Sequence, residues 1–412
     1  MDSLADNILA LVLARLPIKI FTAFKLVCKK WKSIVESPSF RNLFLSMHQN
    51  SASSSWSLMS ILYTDHVDPE IVGYHYQCDT WGLKRPVGSF IKSFLNDQNP
   101  NHKYLQVSAV AYSDVGLILV YATSKIMENS SLYVANPVSR ECVEIFMDPL
   151  PKGVERSQFC FWQWGIATRT ENGIVLGYTI VVFNQKWRHT KLSCLIYSSE
   201  TGLWSLDDTS FPNYQYSLDS ISLNGSLHWF ARNSDNQEVV LSMDFNTNNN
   251  STGSDRCFRV TPFPDLGRTT KFRRACTPCR GSLMYMNIVC ASVEEKLCVW
   301  RLQSEGWQLI SEIFPGPILT GYDFEYSLMT INPIDANTAY FWSTKHESLL
   351  YINLHNGKSV TYNQFELTSD GRATMIPAHD PRAVISLKKA YFETADLLPF
   401  ILPQWLYRIR NT

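Results

Sequence analysis

The first forty residues place apolar and polar side chains at the spacing of amphipathic helices. Apolar residues recur every three or four positions and would line one stripe of a first short helix, which Pro17 ends: Ile8, Leu9, Val12, Leu13 and Leu16. A second stripe predicts one further helix, with lysines largely on its other side: Ile20, Phe21, Phe24, Val27, Cys28 and Trp31. Ser37 and Pro38 then form a typical N-cap and first helical residue, which predicts a third helix.

Three short amphipathic helices cannot bury all of their apolar surface against one another. A chain of about forty residues buries too small a fraction of its surface to form a large core of its own. The remaining apolar surface therefore packs either on the domain that follows or on a partner protein.

The pattern changes after residues 49–55, whose sequence QNSASSS has the composition of a linker. From residue 56 onward, short alternating runs rich in aromatic and β-branched residues are separated by Gly, Asn, Asp and Pro. Such runs are typical of strands and hairpins, and no long helical pattern occurs between about residues 103 and 365. The second part of the chain is predicted to be all-β.

Two motifs repeat through the β part at a spacing near fifty residues. The first is a turn followed by an apolar strand; its markers lie 57, 52, 56 and 57 residues apart, at Gly116, Gly173, Gly225, Gly281 and Thr338. The second is an apolar strand that ends in a polar turn; its markers lie 62, 46, 57 and 52 residues apart, at Asn136, Ser198, Asp244, Arg301 and Asn353. Two interleaved motifs with one period indicate one repeated structural unit.

A period near fifty with several short strands per unit is typical of a kelch-like β-propeller with one four-stranded blade per repeat. Five units are visible from residue 116 onward. Strands from the two ends of the β part would complete a sixth blade. We predict about six blades, with seven blades or a β-sandwich of similar hairpins as alternatives.

The helical segment resembles a known module. Its order of RLP, VCKKWKSIV and SPSF resembles the F-box, by which substrate receptors of SCF-type (Skp–cullin–F-box) ubiquitin ligases bind the Skp-family adaptor. The chain departs from the usual F-box pattern at Ala5, where proline is usual, and at Leu11, where an acidic residue is usual. The resemblance implies that these residues bind the adaptor: Leu4, Ile8, Leu9, Leu13, Leu16, Pro17, Val27, Cys28 and Trp31.

The β part resembles the F-box-associated, kelch-like domain of plant F-box proteins in the phrases VANPVSRECVEI, IYSSETGLWS, LNGSLHWFA and LSMDF. The predicted organisation is a helical module at residues 1–48, a linker at 49–55 and a propeller at 56–400. The resemblance implies a non-catalytic substrate-recognition subunit of an SCF ubiquitin ligase that binds a target protein through the propeller. Two alternatives stay open: a kelch-type propeller enzyme such as a metal oxidase, and an F-box scaffold without ligase output.

Charge argues against bulk binding to nucleic acid or membranes, because Lys+Arg and Asp+Glu both number 37. Residues 1–46 nevertheless carry seven basic and three acidic side chains, a net +4 that suits an acidic adaptor. The N-terminus lacks the basic region of a signal peptide. We expect a protein of the nucleus or cytoplasm.

Candidate chemistry is sparse, and we predict no cofactor, no metal site and no catalytic residue. Cys276 and Cys279 form one C-x-x-C, but no second close pair follows as a zinc site would require. Aromatic residues Phe159, Phe161, Trp162 and Trp164 are expected to be core.

Basic residues cluster between two repeats, at Arg268, Lys271, Arg273, Arg274 and Arg280. Lys271, Arg273 and Arg274 are the predicted substrate-binding residues, for an acidic or phosphorylated segment.

Overall fold

A computed structural model gives the fold. It describes the following residues: 2–16, 18–48, 56–60, 70–74, 106–123, 130–137, 141–152, 154, 163–171, 174–184, 193–207, 215–233, 235, 237–245, 258–265, 276–291, 294–314, 326–334, 336–343, 348–362, 366–367, 373–374 and 397–401. The predicted linker, residues 49–55, lies outside these ranges.

The helical module contains four helices: α1 (Asp2–Ala14), α2 (Ile18–Phe24), α3 (Lys29–Glu36) and α4 (Pro38–His48). The single second helix expected from the apolar stripe is divided into α2 and α3. The division lies at Cys28, whose backbone is extended (φ −160°, ψ 163°) and so cannot continue a helix. The predicted cap of α4 is confirmed, because the Ser37 hydroxyl accepts a hydrogen bond from the backbone N–H of Phe40 at 3.1 Å.

Three phenylalanines form the centre of the helical core. Phe21 of α2 packs edge-to-face on Phe40 and Phe44 of α4, with ring centroids 5.3 and 5.2 Å apart. Leu13 of α1 and Val35 of α3 are also fully buried, so all four helices contribute to this core. Edge-to-face pairs add to the stabilisation from buried area, which helps so small a module to hold one arrangement.

The β part begins with two strands, β1 (Trp56–Ser60) and β2 (Glu70–Tyr74). Three four-stranded antiparallel sheets follow along the chain. Blade 1 contains β3 (Gln106–Tyr112), β4 (Ile118–Thr123), β5 (Ser130–Asn136) and β6 (Glu141–Ile145). Blade 2 contains β7 (Gln163–Glu171), β8 (Ile174–Asn184), β9 (Ser193–Ser198) and β10 (Leu203–Asp207). Blade 3 contains β11 (Gln215–Leu223), β12 (Ser226–Arg232), β13 (Glu238–Asp244) and β14 (Arg259–Pro262).

Two further four-stranded sheets and three short strands complete the β part. Blade 4 contains β15 (Cys276–Cys279), β16 (Ser282–Ala291), β17 (Glu294–Gln303) and β18 (Gly306–Ile313). Blade 5 contains β19 (Tyr326–Ile331), β20 (Thr338–Ser343), β21 (Ser348–Asn353) and β22 (Ser359–Tyr362). The last strands are β23 (Glu366–Leu367), β24 (Ala373–Thr374) and β25 (Leu397–Ile401).

The sixth blade joins the two ends of the β part, as predicted, but its C-terminal strand is not the predicted one. The sequence RAVISLKKAYF at residues 382–392 was expected to supply this strand and lies outside the described residues, whereas the strand observed is β25. β1 pairs with β2 on one side and with β25 on the other, and β24 lies beside β2. The strands β3, β7, β11, β15, β19 and β25 contact one another in this order and so line the centre of the propeller. The ring of Phe400 in β25 packs on Tyr112 in β3 at 5.6 Å between centroids, which closes the circle.

The repeat markers of the sequence fall at equivalent places in successive blades. Three glycines of the first motif, Gly116, Gly225 and Gly281, lie in the turn between the first two strands of a blade and have φ values of 83°, 76° and 70°. Gly173 lies outside the described residues. Only glycine adopts such values without a steric cost, which explains why the marker recurs. The markers of the second motif lie at or near the ends of the third strands, β5, β9, β13, β17 and β21.

Hydrogen bonds connect the first hairpin turns of successive blades at one end of the propeller. The Asp114 carboxylate in blade 1 accepts hydrogen bonds from the Thr168 hydroxyl of blade 2 at 2.8 Å and from the Asn224 N–H of blade 3 at 2.6 Å. The Asn224 side-chain amide donates to the Gly281 carbonyl of blade 4 at 2.8 Å. Arg280 in turn donates from Nε to the Ile334 carbonyl of blade 5 at 2.7 Å. We call this set the hairpin belt; it fixes five blades relative to one another.

Candidate functional site

Helix α1 is apolar on two sides, and only one of them packs on the helical module. Leu13 faces inward and is 1% exposed, with Leu9 half-buried beside it. On the other side, Ile8, Leu11 and Val12 are exposed. A helix that is hydrophobic on all of its faces is normally buried on all of them. The exposed apolar side of α1 is therefore a candidate binding surface.

More apolar side chains are exposed on α2 and in the turn that leads to α3. Backbone hydrogen bonds from Leu26 to Ala23 (3.1 Å) and from Val27 to Phe24 (3.0 Å) hold this turn. The side chains of Leu26 and Val27 are 91% and 61% exposed, and Ile20 of α2 is also exposed. We define the exposed apolar surface of the module as Ile8, Leu11, Val12, Ile20, Leu26 and Val27.

The predicted adaptor-binding residues fall into three groups in the structure. Ile8, Val27 and Cys28 are exposed, whereas Leu9, Leu16 and Trp31 are half-buried. The Trp31 ring packs edge-to-face on Phe24 at 5.1 Å between centroids. Leu13 belongs to the core and offers no surface for contact, because its packing against the module removes it from solvent. Pro17 and the side chain of Leu4 lie outside the described residues.

Four members of the exposed apolar surface were not among the predicted contacts: Leu11, Val12, Ile20 and Leu26. Leu11 and Leu26 lie outside the two apolar stripes. A large apolar side chain outside a stripe is the sequence feature that could have identified them as surface residues. The same module also has exposed basic residues at Arg15, Lys29 and Lys32.

The predicted basic substrate site is only partly visible. Arg268, Lys271, Arg273 and Arg274 lie outside the described residues. Arg280, grouped with them in the sequence, lies instead in the turn between β15 and β16, and its backbone N–H donates to the Pro333 carbonyl at 3.1 Å. Residues 266–275 precede β15 and Arg280 follows it, so the two parts of the cluster are attached to opposite ends of this strand. Arg280 is thus the one member of the cluster that the structure describes, and the basic substrate site stays a prediction.

The C-x-x-C pair occupies β15, where side chains alternate between the two faces. Cys276 and Cys279 are three residues apart on this strand and belong to two different hydrophobic clusters. Burial raises the pKa of the Cys276 thiol well above its usual value, which disfavours the thiolate that a metal requires. In the described ranges, no three His, Cys, Asp or Glu side chains are grouped so that they could hold a metal ion.

Of the four clustered aromatic residues, Trp164 is a buried core residue of blade 2, as predicted. Phe159, Phe161 and Trp162 lie outside the described residues. Among the residues that the structure describes, no helix combines the length and apolar composition needed to cross a bilayer.

A cleft of about 390 Å³ lies between blades 3 and 4, at the same end of the propeller as the hairpin belt. Blade 3 contributes residues of all four of its strands, including His228 and Ser242, and blade 4 contributes the β15–β16 and β17–β18 turns. His228 Nδ1 and the Ser242 hydroxyl share a hydrogen bond of 2.7 Å between two directly paired strand positions. Burial lowers the pKa of His228 to about 4, so its ring is neutral at pH 7.

The low pKa of His228 should make the propeller less stable in mild acid. An unfolded histidine with the usual pKa near 6.5 takes up a proton as the pH falls, whereas the folded ring stays neutral until about pH 4. The unfolding free energy is therefore unaffected by protonation of His228 above pH 6.5, and it decreases progressively as the pH falls from 6.5 towards 4. Between pH 7.5 and 5.5, we expect the wild type to lose about 1 kcal/mol more unfolding free energy than His228→Phe, measured by urea unfolding. Equal losses in the two proteins would contradict this assignment.

Comparison with known proteins agrees with both parts of the fold. The F-box domain family matches residues 1–43, and the family described as F-box protein At3g26010-like, beta-propeller matches residues 54–411. F-box protein At3g28330 of Arabidopsis thaliana is 46% identical over 421 residues, which cover 100% of this chain and 97% of that protein. F-box protein At3g26010 of the same plant is 31% identical, over 98% of this chain and 89% of that protein. The chain therefore belongs to the family of F-box proteins with an At3g26010-like β-propeller.

Proposed function

We propose that this protein is the substrate-recognition subunit of an SCF-type ubiquitin ligase. The helical module would bind a Skp-family adaptor, and the propeller would bind the protein to be ubiquitylated. Membership of the F-box family supports the first part, since F-box domains generally bind such adaptors in cullin–RING ligases. The protein would act in the nucleus or cytoplasm.

The observation that carries this proposal is the exposed apolar surface of the helical module. Six large apolar side chains that are 42–91% exposed on so small a module are costly to leave in water, because burying a fully exposed side chain of this kind gains about 1.5–3 kcal/mol and a half-exposed one proportionately less. Docking of an adaptor helix or loop on this surface would bury them. The basic side chains of the same module would favour an acidic partner and speed the encounter.

Proximity is the proposed mechanism, so no residue of this chain would take part in bond chemistry. The adaptor and cullin would hold the ubiquitin-loaded enzyme near the propeller, and a target bound there would react at a raised effective concentration. Lys271, Arg273 and Arg274 remain predicted contacts for an acidic or phosphorylated part of such a target.

The test is reconstitution in two stages. The full chain is first expressed with a Skp-family adaptor, and a stable 1:1 complex on gel filtration is expected. This complex is then combined with cullin, RING subunit and a protein captured by the full chain, and ubiquitylation of the captured protein is expected. Failure of the first stage would contradict adaptor binding; a complex without ubiquitylation of any captured protein would indicate a scaffold instead of a ligase subunit.

A further inference from the structure

The cleft between blades 3 and 4 is held open by a contact at each of its two ends. At its inner end, the Asn224 amide of blade 3 donates to the Gly281 carbonyl of blade 4. At its outer end, Arg259 of β14 donates from Nη2 to the carbonyls of Gln303 and Ser304 in the β17–β18 turn. Both contacts cross from one blade to the other, so the width of the cleft is fixed before any ligand binds. Because such a site is preformed, little binding free energy is lost in ordering its side chains and loops when a ligand binds.

The length of the cleft suits an extended chain. Its lining crosses all four strands of blade 3, from Leu223 in β11 to Arg259 in β14. Three inter-strand spacings of roughly 4.8 Å give a length of about 14 Å, and an extended peptide rises about 3.3 Å per residue. The cleft therefore accommodates about four residues.

The polar groups of the cleft indicate which chemistry it recognises. His228 is almost fully buried and its Nδ1 is bound to Ser242; within the part of the chain that the structure describes, its Nε2 makes no hydrogen bond. His228 lines the cleft, and its Nε2 is not one of the fully buried atoms that lack a partner, so this nitrogen is accessible to a ligand that enters the cleft and can form a hydrogen bond with it. The formal charges of the lining, Asp244 and Arg259, are opposite in sign, and Arg259 is directed to backbone carbonyls. A charged ligand group would therefore lose its hydration here without finding a matching net charge.

We propose that this cleft binds a short extended segment of a target protein, with no net charge and with a Ser, Thr, Asn or Gln side chain opposite His228. Hydroxyl and amide groups both donate and accept, so either tautomer of the imidazole finds a partner. Leu223, Leu283 and Leu302 line the cleft beside these polar groups and supply apolar contact. The proposal rests on the proposed receptor function.

The experiment selects peptides with the full chain from a display library of random nonapeptides. The expected selection carries Ser, Thr, Asn or Gln at one fixed position and little net charge. Ser226→Tyr, which fills the cleft from the start of β12, should weaken binding of a selected peptide at least about tenfold. Ser205→Tyr, at an exposed strand position in blade 2, is the matched control and should leave the affinity unchanged.

A second comparison tests His228 itself. Replacing the selected Thr of the peptide with Val should cost about tenfold on the wild type and little on His228→Phe, because the hydrogen bond is absent from the variant in both cases. A purely structural role for His228 would leave the two penalties equal. Melting temperatures of all variants verify that the propeller is folded.

Three results would overturn the proposal: no selected peptide, affinity that survives Ser226→Tyr, or selection of acidic peptides whose binding is lost in Arg273→Glu/Arg274→Glu. Adaptor co-purification is measured on the same protein. Loss of peptide selection with adaptor binding intact would reject the cleft alone, whereas loss of adaptor binding would reject the receptor function.

Discussion

Replacing Leu26 and Val27 with glutamate should abolish co-purification of a Skp-family adaptor and leave the melting temperature unchanged. Both side chains are mostly exposed in the turn between α2 and α3, and changes at exposed positions usually alter stability by no more than about 0.5 kcal/mol. At an interface, by contrast, two apolar anchors would be lost and two charges would be buried without partners. We expect an affinity loss of at least about a hundredfold, measured by titration calorimetry with purified adaptor.

The matched control for this prediction lies on the propeller. Leu309 and Ile310 of β18 are exposed apolar residues, and their replacement with glutamate should leave adaptor binding unchanged. Leu13→Ala provides a second comparison: it should cost about 2–5 kcal/mol of stability in the helical module because Leu13 is core. Undiminished adaptor affinity of the Leu26→Glu/Val27→Glu variant would remove this turn from the interface.

Phe400→Ala should destabilise the whole propeller by about 3–5 kcal/mol. Phe400 is 1% exposed, and it joins the last strand of the chain to Tyr112 in the first complete blade. The substitution leaves a cavity at the position where the ring closes, so the loss should appear as a lower midpoint of a single cooperative transition. Urea unfolding followed by tryptophan fluorescence measures it.

Phe146→Ala is the control, since Phe146 is 73% exposed beyond β6. Its substitution should change the unfolding free energy by no more than about 0.5 kcal/mol. Closure by β25 would not stabilise the ring if Phe400→Ala changed the unfolding free energy as little as Phe146→Ala does. The same would follow if the sixth blade of the Phe400→Ala variant unfolded in a separate transition.

The repeat was readable from the sequence because the same backbone requirement recurs in the described first turns of blades 1, 3, 4 and 5. A tight turn between the first two strands needs a positive φ, so glycine returns at positions such as Gly225 and Gly281. The polar turn after each third strand recurs for a similar local reason. Pairing between the two ends of the β part was also predictable, because an incomplete set of strands at each end has no other neighbour. The choice of strand was not, since the pattern indicated residues 382–392 and the strand that pairs with β1 is β25.

The exposed apolar surface of the helical module was less predictable, because periodicity shows that residues share a face and not whether that face is covered. Leu13 and Val12 lie in the same predicted stripe, yet Leu13 is core and Val12 is exposed. No glycine or proline marks the break at Leu26 and Val27, so a continuous helix was expected there. Only the packing of Phe21 on α4 shows which side of the module is inside.

The cleft was not predictable at all from local pattern. Its two walls are contributed by residues from about 220–260 and about 280–305, and they meet only because blades 3 and 4 are neighbours in the ring. His228 reads in the sequence as one polar residue within the strand SLHWFAR. Its partner Ser242 follows from the register of β12 and β13, which a sequence pattern does not specify.

Closure by β25 also has a consequence for the order of events during synthesis. The helical module is complete once residue 48 has left the ribosome, whereas the sixth blade has to wait for residue 401. At about 5–20 residues per second, these 350 or so residues take roughly 20–70 s to translate. During that interval the nascent chain exposes a finished helical module ahead of an open ring with unpaired strand edges. Early capture of the module by a partner, or of the edges by a chaperone, would therefore protect the chain before the propeller exists as a unit.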